Sequence, residues 1–245
     1  MWYNKELNNE IDGTEAFLSL FNTLDDFYVY FFKNIIFFNP ATVKEQSIAL
    51  LKKVDENDKL PVRFSMKTKD LFHIPTENNQ RGFIKKRFAN KKVAQDFAET
   101  NRLVHNNTGI SVCIDKNGCY YPRNEIFLAT NHKVSIGSKS DMVNYVISHV
   151  WGNTDNPLFF SSLWNIVLIP NHLAYILDKP DTNSHLISTV KILVRAACFQ
   201  LYKPNKLMNK DLIEVDERFE KALIAFDKLI VQNKITINFL EPNQR

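Results

Sequence analysis

Apolar residues recur at helical spacing near both ends of the chain. Residues 14–38 carry such a stripe, which predicts a helix packed in the core. The same spacing predicts helices at about 42–54, 186–202 and 213–232. A further helix is expected to begin in a basic stretch near residue 81 and to end at about Val104, before the turn signal NNTG.

Apolar and β-branched runs elsewhere predict strands. Residues 110–122 (ISVCIDKNGCYYP) resemble a β-hairpin whose turn is DKNG, because Gly118 can adopt positive φ there. The segment EIFLAT is expected to be a strand, and ITINFL near the C-terminus an edge strand. Together these elements predict an α+β fold that is mostly helical, with a small antiparallel sheet.

Length and composition indicate a globular protein. The chain has 245 residues, of which 44% are hydrophobic and 12% aromatic, so it can bury a substantial core. A shift in pattern near residue 108 divides a helical N-terminal region, 1–108, which could contain a DNA-binding part, from a mixed region, 109–245. A single continuous domain is the alternative.

Several classes of protein are disfavoured. The three cysteines lack CxxC spacing, which favours a reducing compartment and argues against a zinc knuckle. No signal-peptide pattern and no sufficiently long apolar run is found, so a cytoplasmic protein is expected. Nucleotide-binding loops of the GxxxxGK[ST] and GxGxxG types are absent, and no lysine completes a [DE]-x-K nuclease motif.

Positive charge is concentrated in one segment. The whole chain has a net charge of +4, yet residues 81–92 (RGFIKKRFANKK) contain six basic residues and no acid. The segment is expected to contact DNA phosphates or else to be a solvated helix face. The candidate DNA-binding residues are Lys85, Lys86, Arg87, Lys91 and Lys92. Residues 63–69 (RFSMKTK) add charge nearby in the sequence.

The chemistry is expected in residues 145–179, YVISHVWGNTDNPLFFSSLWNIVLIPNHLAYILDK. The segment NYVISHV predicts a strand ending at His149, and a loop rich in Gly, Asn and Pro follows. A second strand, LWNIVLIP, contains Asn165. The helix NHLAYILDK then begins beside His172, with Asn171 as its N-cap and Pro180 as its stop.

This order of strand, loop, strand and helix, with His, Asn and His at these places, resembles the HNH nucleases. Their core is the ββα-metal finger, and the resemblance covers about 143–179. It implies that His149 is the general base, that His172 binds a divalent metal ion, Mg²⁺ or Mn²⁺, and that Asn165 holds the finger together or positions the metal and its water.

One position departs from the HNH pattern. Many HNH sequences have a metal-binding Asp just before the first His, and here that residue is Ser148, a weak ligand. Ser148 is therefore a candidate ligand beside His172. The residues that could complete the metal site are Asp141, Asp155, Asp178 and His132.

The resemblance implies a metal-dependent endonuclease that cleaves double-stranded DNA, most simply in a restriction system. A nuclease toxin and a phage or homing nuclease share this chemistry and stay open. A non-catalytic DNA-binding protein with a degenerate finger is the other alternative, and Ser148 favours it. A homodimer and a cognate methyltransferase are partners compatible with a restriction role.

Overall fold

The computed structural model describes residues 17, 19–65, 67–68, 71–75, 83–85, 88–134, 140–178, 185–203, 216–232 and 235–243. Within these ranges, only the backbone is described for residues 75, 83–85, 178 and 185. The fold is α+β, as the sequence predicts, and the described residues form two mixed sheets rather than one small antiparallel sheet.

The first sheet, sheet A, has the strand order β7-β8-β1-β9. Its strands are β1 (Ile36–Phe38), β7 (Tyr145–His149), β8 (Ile166–Pro170) and β9 (Asn238–Leu240). The pairings β7/β8 and β8/β1 are antiparallel, whereas β1 and β9 are parallel. The predicted strands at 145–149 and near the C-terminus are therefore confirmed, and β9 is an edge strand as expected.

The second sheet, sheet B, has the order β2-β6-β5-β3-β4. Its strands are β2 (Leu60–Val62), β3 (Phe72–Pro75), β4 (Phe83–Lys85), β5 (Leu103–His105) and β6 (Ser111–Ile114). Only β2 and β6 pair in parallel. The division expected at residue 108 does not separate the two sheets, because the pairings β2/β6 and β1/β8 cross it.

Helices cover more of the described chain than strands do. They are α1 (Leu24–Asn34), α2 (Pro40–Asp55), α3 (Lys91–Thr100), α4 (Tyr120–Thr130), α5 (Ala174–Asp178), α6 (His185–Tyr202) and α7 (Glu217–Val231). The start of α1 is fixed by a capping box between Thr23 and Asp26, and α2 begins with Asn39 as its N-cap and Pro40 in its first turn. The segments predicted as helices at 42–54, 186–202 and 213–232 each contain a helix in the structure, with somewhat different ends.

The main core lies between sheet A and the helices around it. Trp164 and a group of phenylalanines that includes Phe27, Phe31 and Phe37 are fully buried there. A smaller core, with Phe64, Phe72 and Phe88 among its members, packs against sheet B. No helix in the described ranges is long and apolar enough to cross a membrane.

Four predicted elements differ in the structure. The hairpin expected at 110–122 is wrong: β6 ends at Ile114, and the buried Asp115 carboxylate accepts the amides of Cys119 and Tyr121, which turns the chain into α4. The segment EIFLAT lies within α4 and is therefore helical.

The helix expected across the basic stretch begins later, at Lys91, because the side chain of Asn90 caps it by accepting the amide of Val93. Residues 83–85 form β4 instead and pair with β3. In the N-terminal segment, the helix ends at Asn34 and the chain continues as β1.

Candidate functional site

The finger, defined here as residues 145–178, has the expected order of elements. Strand β7 pairs with β8 in a register that places Tyr145 opposite Pro170 and His149 opposite Ile166. The finger loop, residues 150–165, joins them and ends in a 3-10 turn at Leu163–Asn165. A second 3-10 turn, Asn171–Leu173, leads into α5, which packs against β7.

Asn165 braces the finger loop from within. Its side chain is fully buried, its Oδ1 accepts the amide of Trp151 at 2.8 Å, and its Nδ2 donates to the carbonyl oxygens of Gly152 at 3.2 Å and Phe159 at 3.0 Å. Residues from two separate parts of the loop thus form hydrogen bonds with one amide side chain. An unpaired amide at this depth would be costly, so these three hydrogen bonds stabilise the loop.

His149 stands at the end of β7, where the finger loop fixes its ring. Its Nε2 lies 2.8 Å from the carbonyl oxygen of Phe160, and the two rings stack with centroids 5.6 Å apart at an angle of 9°. A carbonyl can only accept a hydrogen bond, so Nε2 carries the proton and Nδ1 of the neutral ring holds the lone pair. The tautomer of His149 is therefore set by the loop.

The environment keeps His149 neutral. Burial lowers its pKa from the ordinary value of 6.5 to about 4, the Phe160 carbonyl opposes this shift, and the positive charge of Arg63 adds to it. At neutral pH the imidazole is therefore unprotonated at Nδ1, and its lowered pKa makes it a weaker proton acceptor than an ordinary histidine.

Ser148 precedes His149 in β7 and is buried. Because successive side chains in a strand point to opposite faces of the sheet, Ser148 and His149 face opposite ways. The structure therefore does not place the Ser148 hydroxyl beside the imidazole.

His172 lies at the other end of the hairpin from His149. The amide of the preceding residue, Asn171, donates to the carbonyl oxygen of Asn144, just before β7. The strand from Asn144 to His149 is about 16 Å long. His172 is exposed, and its Nε2 forms a hydrogen bond of 3.0 Å with the hydroxyl of Tyr30 on α1.

The other candidate ligands do not converge on His149 either. Asp141 accepts the amide of Lys133, and His132 donates from Nε2 to the carbonyl oxygen of Glu241. Asp155 is partly buried in the finger loop, where its charge acts on His105. The side chain of Asp178 lies outside the described residues.

These placements bear on the metal ion that the resemblance implies. Among the described residues, no group of three or more His, Cys, Asp or Glu side chains is arranged to hold a metal ion. The charged group that acts on His149 is a cation, Arg63. The described residues around His149 therefore do not fit the ligand set implied by the resemblance.

No sequence motif singles out Arg63. It directly follows β2 in sheet B, is partly buried, and its backbone amide donates to the carbonyl oxygen of Thr154 in the finger loop at 2.7 Å. Its guanidinium carbon lies 5.8 Å from the centre of the Phe160 ring. The only sequence signal for this residue is the charge of segment 63–69, which does not indicate contact with the finger.

The basic segment 81–92 is described in part. Lys85 is in β4 with its backbone alone described, and Lys86 and Arg87 lie outside the described residues. Lys91 and Lys92 form the first turn of α3, where Lys92 is exposed and pairs with Asp96 at 2.5 Å. Their role in binding DNA remains a prediction.

Comparison with known proteins gives a family without a described activity. A family model described as "Uncharacterised protein PM1201" matches residues 38–241, which include the finger and Arg63. The chain is similar to the uncharacterized protein PM1201 of Pasteurella multocida (strain Pm70), with 23% identity over 220 residues, 86% of this chain and 85% of the relative. No solved structure matches.

Proposed function

We propose that this chain, which belongs to the family described as uncharacterised protein PM1201, is an HNH-type endonuclease that hydrolyses phosphodiester bonds in double-stranded DNA. A restriction-type role is the form of this activity that the sequence resemblance favours. The proposal rests on the finger, because no activity is attached to the family or to the relative described above.

The single observation that carries the proposal is the fixed geometry of His149. His149, at the end of the first strand, donates its Nε2 proton in a hydrogen bond to the Phe160 carbonyl oxygen. Its ring is neutral, so Nδ1 holds the lone pair that could accept a proton. Asn165 holds the loop that provides this carbonyl.

In the proposed reaction, a water molecule gives a proton to Nδ1 of His149 while its oxygen bonds to phosphorus. The bond between phosphorus and the leaving oxygen breaks, and that oxygen keeps the electron pair and takes a proton from solvent. His149 then releases its proton to solvent. A divalent metal ion, Mg²⁺ or Mn²⁺, belongs to the proposal by resemblance, and no step is assigned to it because the described side chains do not fit its expected ligand set.

A second candidate is a non-catalytic DNA-binding protein with a degenerate finger. The specific observation in its favour is the position of His172, which is bonded to Tyr30 at the far end of the hairpin from His149. In this case the finger keeps its fold through Asn165 while the metal-dependent chemistry is lost.

The deciding experiment is incubation of purified protein with long phage DNA, which contains many short recognition sequences, and with supercoiled plasmid, in Mg²⁺ or Mn²⁺. Wild type is expected to cleave, and His149→Gln to cleave at least about a hundredfold more slowly, because glutamine can donate to the Phe160 carbonyl but cannot act as the base. His132→Gln, which changes a histidine bonded to Glu241, is the matched control and keeps the wild-type rate.

Thermal denaturation of each variant separates loss of the base from loss of the fold. Cleavage by His149→Gln at the wild-type rate would refute the assignment of the base. DNA binding without cleavage by wild type, on both DNAs and with both metals, would support the degenerate finger instead.

A further inference from the structure

Arg63 has a neutral and weakly interacting environment. One of its guanidinium nitrogens donates to Sγ of Cys119 at 2.8 Å, and its guanidinium carbon lies 5.8 Å from the Phe160 ring centre. A thiol is a weak acceptor, and an aromatic ring attracts a cation without neutralising it. The fixed orientation of the guanidinium is therefore not explained by an ion pair.

The groups that contact the Arg63 guanidinium are uncharged. Burial raises the pKa of the Cys119 thiol, so the sulfur is uncharged at neutral pH. Asp115 also acts on Cys119, but its two carboxylate oxygens accept the amides of Cys119 and Tyr121. Within the described part of the chain, no carboxylate forms an ion pair with Arg63.

Arg63 and His149 both contact the aromatic ring of Phe160. His149 stacks on Phe160 at 5.6 Å, and Arg63 contacts the same Phe160 ring. The backbone bond from Arg63 to Thr154 holds the end of β2 against the finger loop. Arg63 and His149 both keep some exposure to solvent, although the His149 ring is largely buried.

We infer that Arg63 is an anion-binding residue that holds the phosphate group of a nucleic-acid backbone beside His149. The planar guanidinium offers parallel N–H donors whose spacing matches two oxygens of one phosphate. One of its N–H groups is used on Cys119, which orients the others. The inference rests on the proposed function in taking the scissile phosphodiester as the anion.

Binding of the anion is tested without turnover. Inorganic phosphate is titrated into the full chain while the imidazole signals of His149 are followed by NMR. Wild type is expected to show a saturable shift, and Arg63→Gln to bind phosphate about tenfold or more weakly. Arg63→Lys, which keeps the charge but loses the fork, is expected to lie between them. Arg218→Gln, which changes an exposed arginine on α7, is the control and binds as wild type does.

A second arm uses duplex DNA. Affinity for duplex DNA is compared between His149→Gln and the double variant His149→Gln/Arg63→Gln. Cleavage kinetics are compared between wild type and Arg63→Gln. The expected result is weaker binding of both phosphate and duplex, with a larger change in KM than in kcat. Arg63→Gln also raises the pKa of His149, because the guanidinium helps to lower it; loss of a merely structural contact far from His149 would not do so.

The two proposals fail in different ways. Phosphate binding that depends on Arg63, in a protein that cleaves no DNA, would leave the anion site standing and refute the endonuclease. The opposite outcome is that wild type cleaves DNA and folded Arg63→Gln has the same phosphate affinity and the same KM as wild type. This would refute the anion site and leave the endonuclease proposal standing. Binding of phosphate but not of duplex would restrict the site to small anions and overturn its role toward DNA.

Discussion

The backbone amide of Arg63 donates to the carbonyl oxygen of Thr154 over 2.7 Å, and this bond joins sheet B to the finger loop. The same loop contains Phe160, whose carbonyl orients His149 and whose ring contacts the Arg63 side chain. The position of the cation relative to the imidazole is therefore set by backbone and side-chain contacts together. The candidate site belongs to both sheets, not to the finger alone.

Asn165→Ala is expected to destabilise the protein by about 3 kcal/mol. The change leaves the amide of Trp151 and the carbonyl oxygens of Gly152 and Phe159 without their partner, in a region where Asn165 is fully buried. Urea denaturation measures the free energy of unfolding. The control is the exposed Asn171→Ala, because Asn171 is the first residue of the 3-10 turn and not the N-cap that the sequence predicts. It is expected to change this free energy by less than about 0.5 kcal/mol. Equal losses in the two variants would mean that Asn165 does not brace the loop.

Stability is expected to fall as the pH is lowered from 6.5 towards 4. The pKa of His149 is about 4 in the folded protein and near its ordinary 6.5 when unfolded, so the unfolded chain binds more protons in this interval. The contribution is complete above pH 6.5 and amounts to about 3 kcal/mol at most. Burial lowers the pKa of His105 as well, which acts in the same direction.

Urea denaturation at several pH values tests this dependence. The slope of unfolding free energy against pH between 4 and 6.5 should be smaller in His149→Gln than in wild type. Identical slopes would show that His149 does not titrate with a lowered pKa.

Cleavage is expected to stop in EDTA and to return with Mg²⁺ or Mn²⁺, as the HNH resemblance implies. The sequence alone predicts that His172→Ala raises the metal concentration required or abolishes cleavage. The structure indicates instead that this requirement stays unchanged, because His172 is bonded to Tyr30 at the opposite end of the hairpin from His149.

The measurement is cleavage rate against metal concentration for wild type, His172→Ala and Tyr30→Phe. The Tyr30 variant removes the same hydrogen bond from the other side, so the two variants should behave alike. A rise in the metal requirement for His172→Ala alone would restore His172 as a ligand.

Changing Lys85, Lys86, Lys91 and Lys92 to Ala is expected to weaken binding to all duplexes alike. Each phosphate contact contributes about 0.9 to the slope of log affinity against log salt, so the slope should flatten by up to several units. Lys92 is expected to contribute least, because it already pairs with Asp96. Affinity is measured over a salt series, with Lys52→Ala/Lys221→Ala, two exposed lysines in comparable helical ion pairs, as the control. An unchanged slope in the quadruple variant would identify the segment as a solvated surface.

The finger was largely predictable because its signals are local. Alternation and β-branching in 145–149, the loop residues that follow and the apolar run ending at Pro170 each indicate their element without knowledge of the rest of the chain. The bracing role of Asn165 was implied by the resemblance to HNH nucleases and not by the local pattern. Its three hydrogen-bond partners all lie in the adjoining loop.

Sheet B and Arg63 were not predictable in this way. Strands β2, β4 and β5 each have three residues, too few for an alternating pattern to be seen. The signal DKNG has the composition of a hairpin turn, and only the buried carboxylate of Asp115 shows that it turns into α4. The contact between Arg63 and Phe160 joins residues far apart in sequence and depends on the packing of sheet B against the finger loop.

Strand β1 has a consequence for how the protein is made. It lies between β8 and β9, whose residues follow it by more than a hundred positions, so its hydrogen-bonding edges stay open during most of translation. The finger can dock on β1 only after residue 170 has left the ribosome, and the other edge of β1 is covered only after residue 240 has. A nascent chain therefore exposes the apolar strand IFF to other chains for longer than any local hairpin would. Slower translation between β1 and β9 should increase aggregation of the newly made protein without changing the stability of the folded molecule.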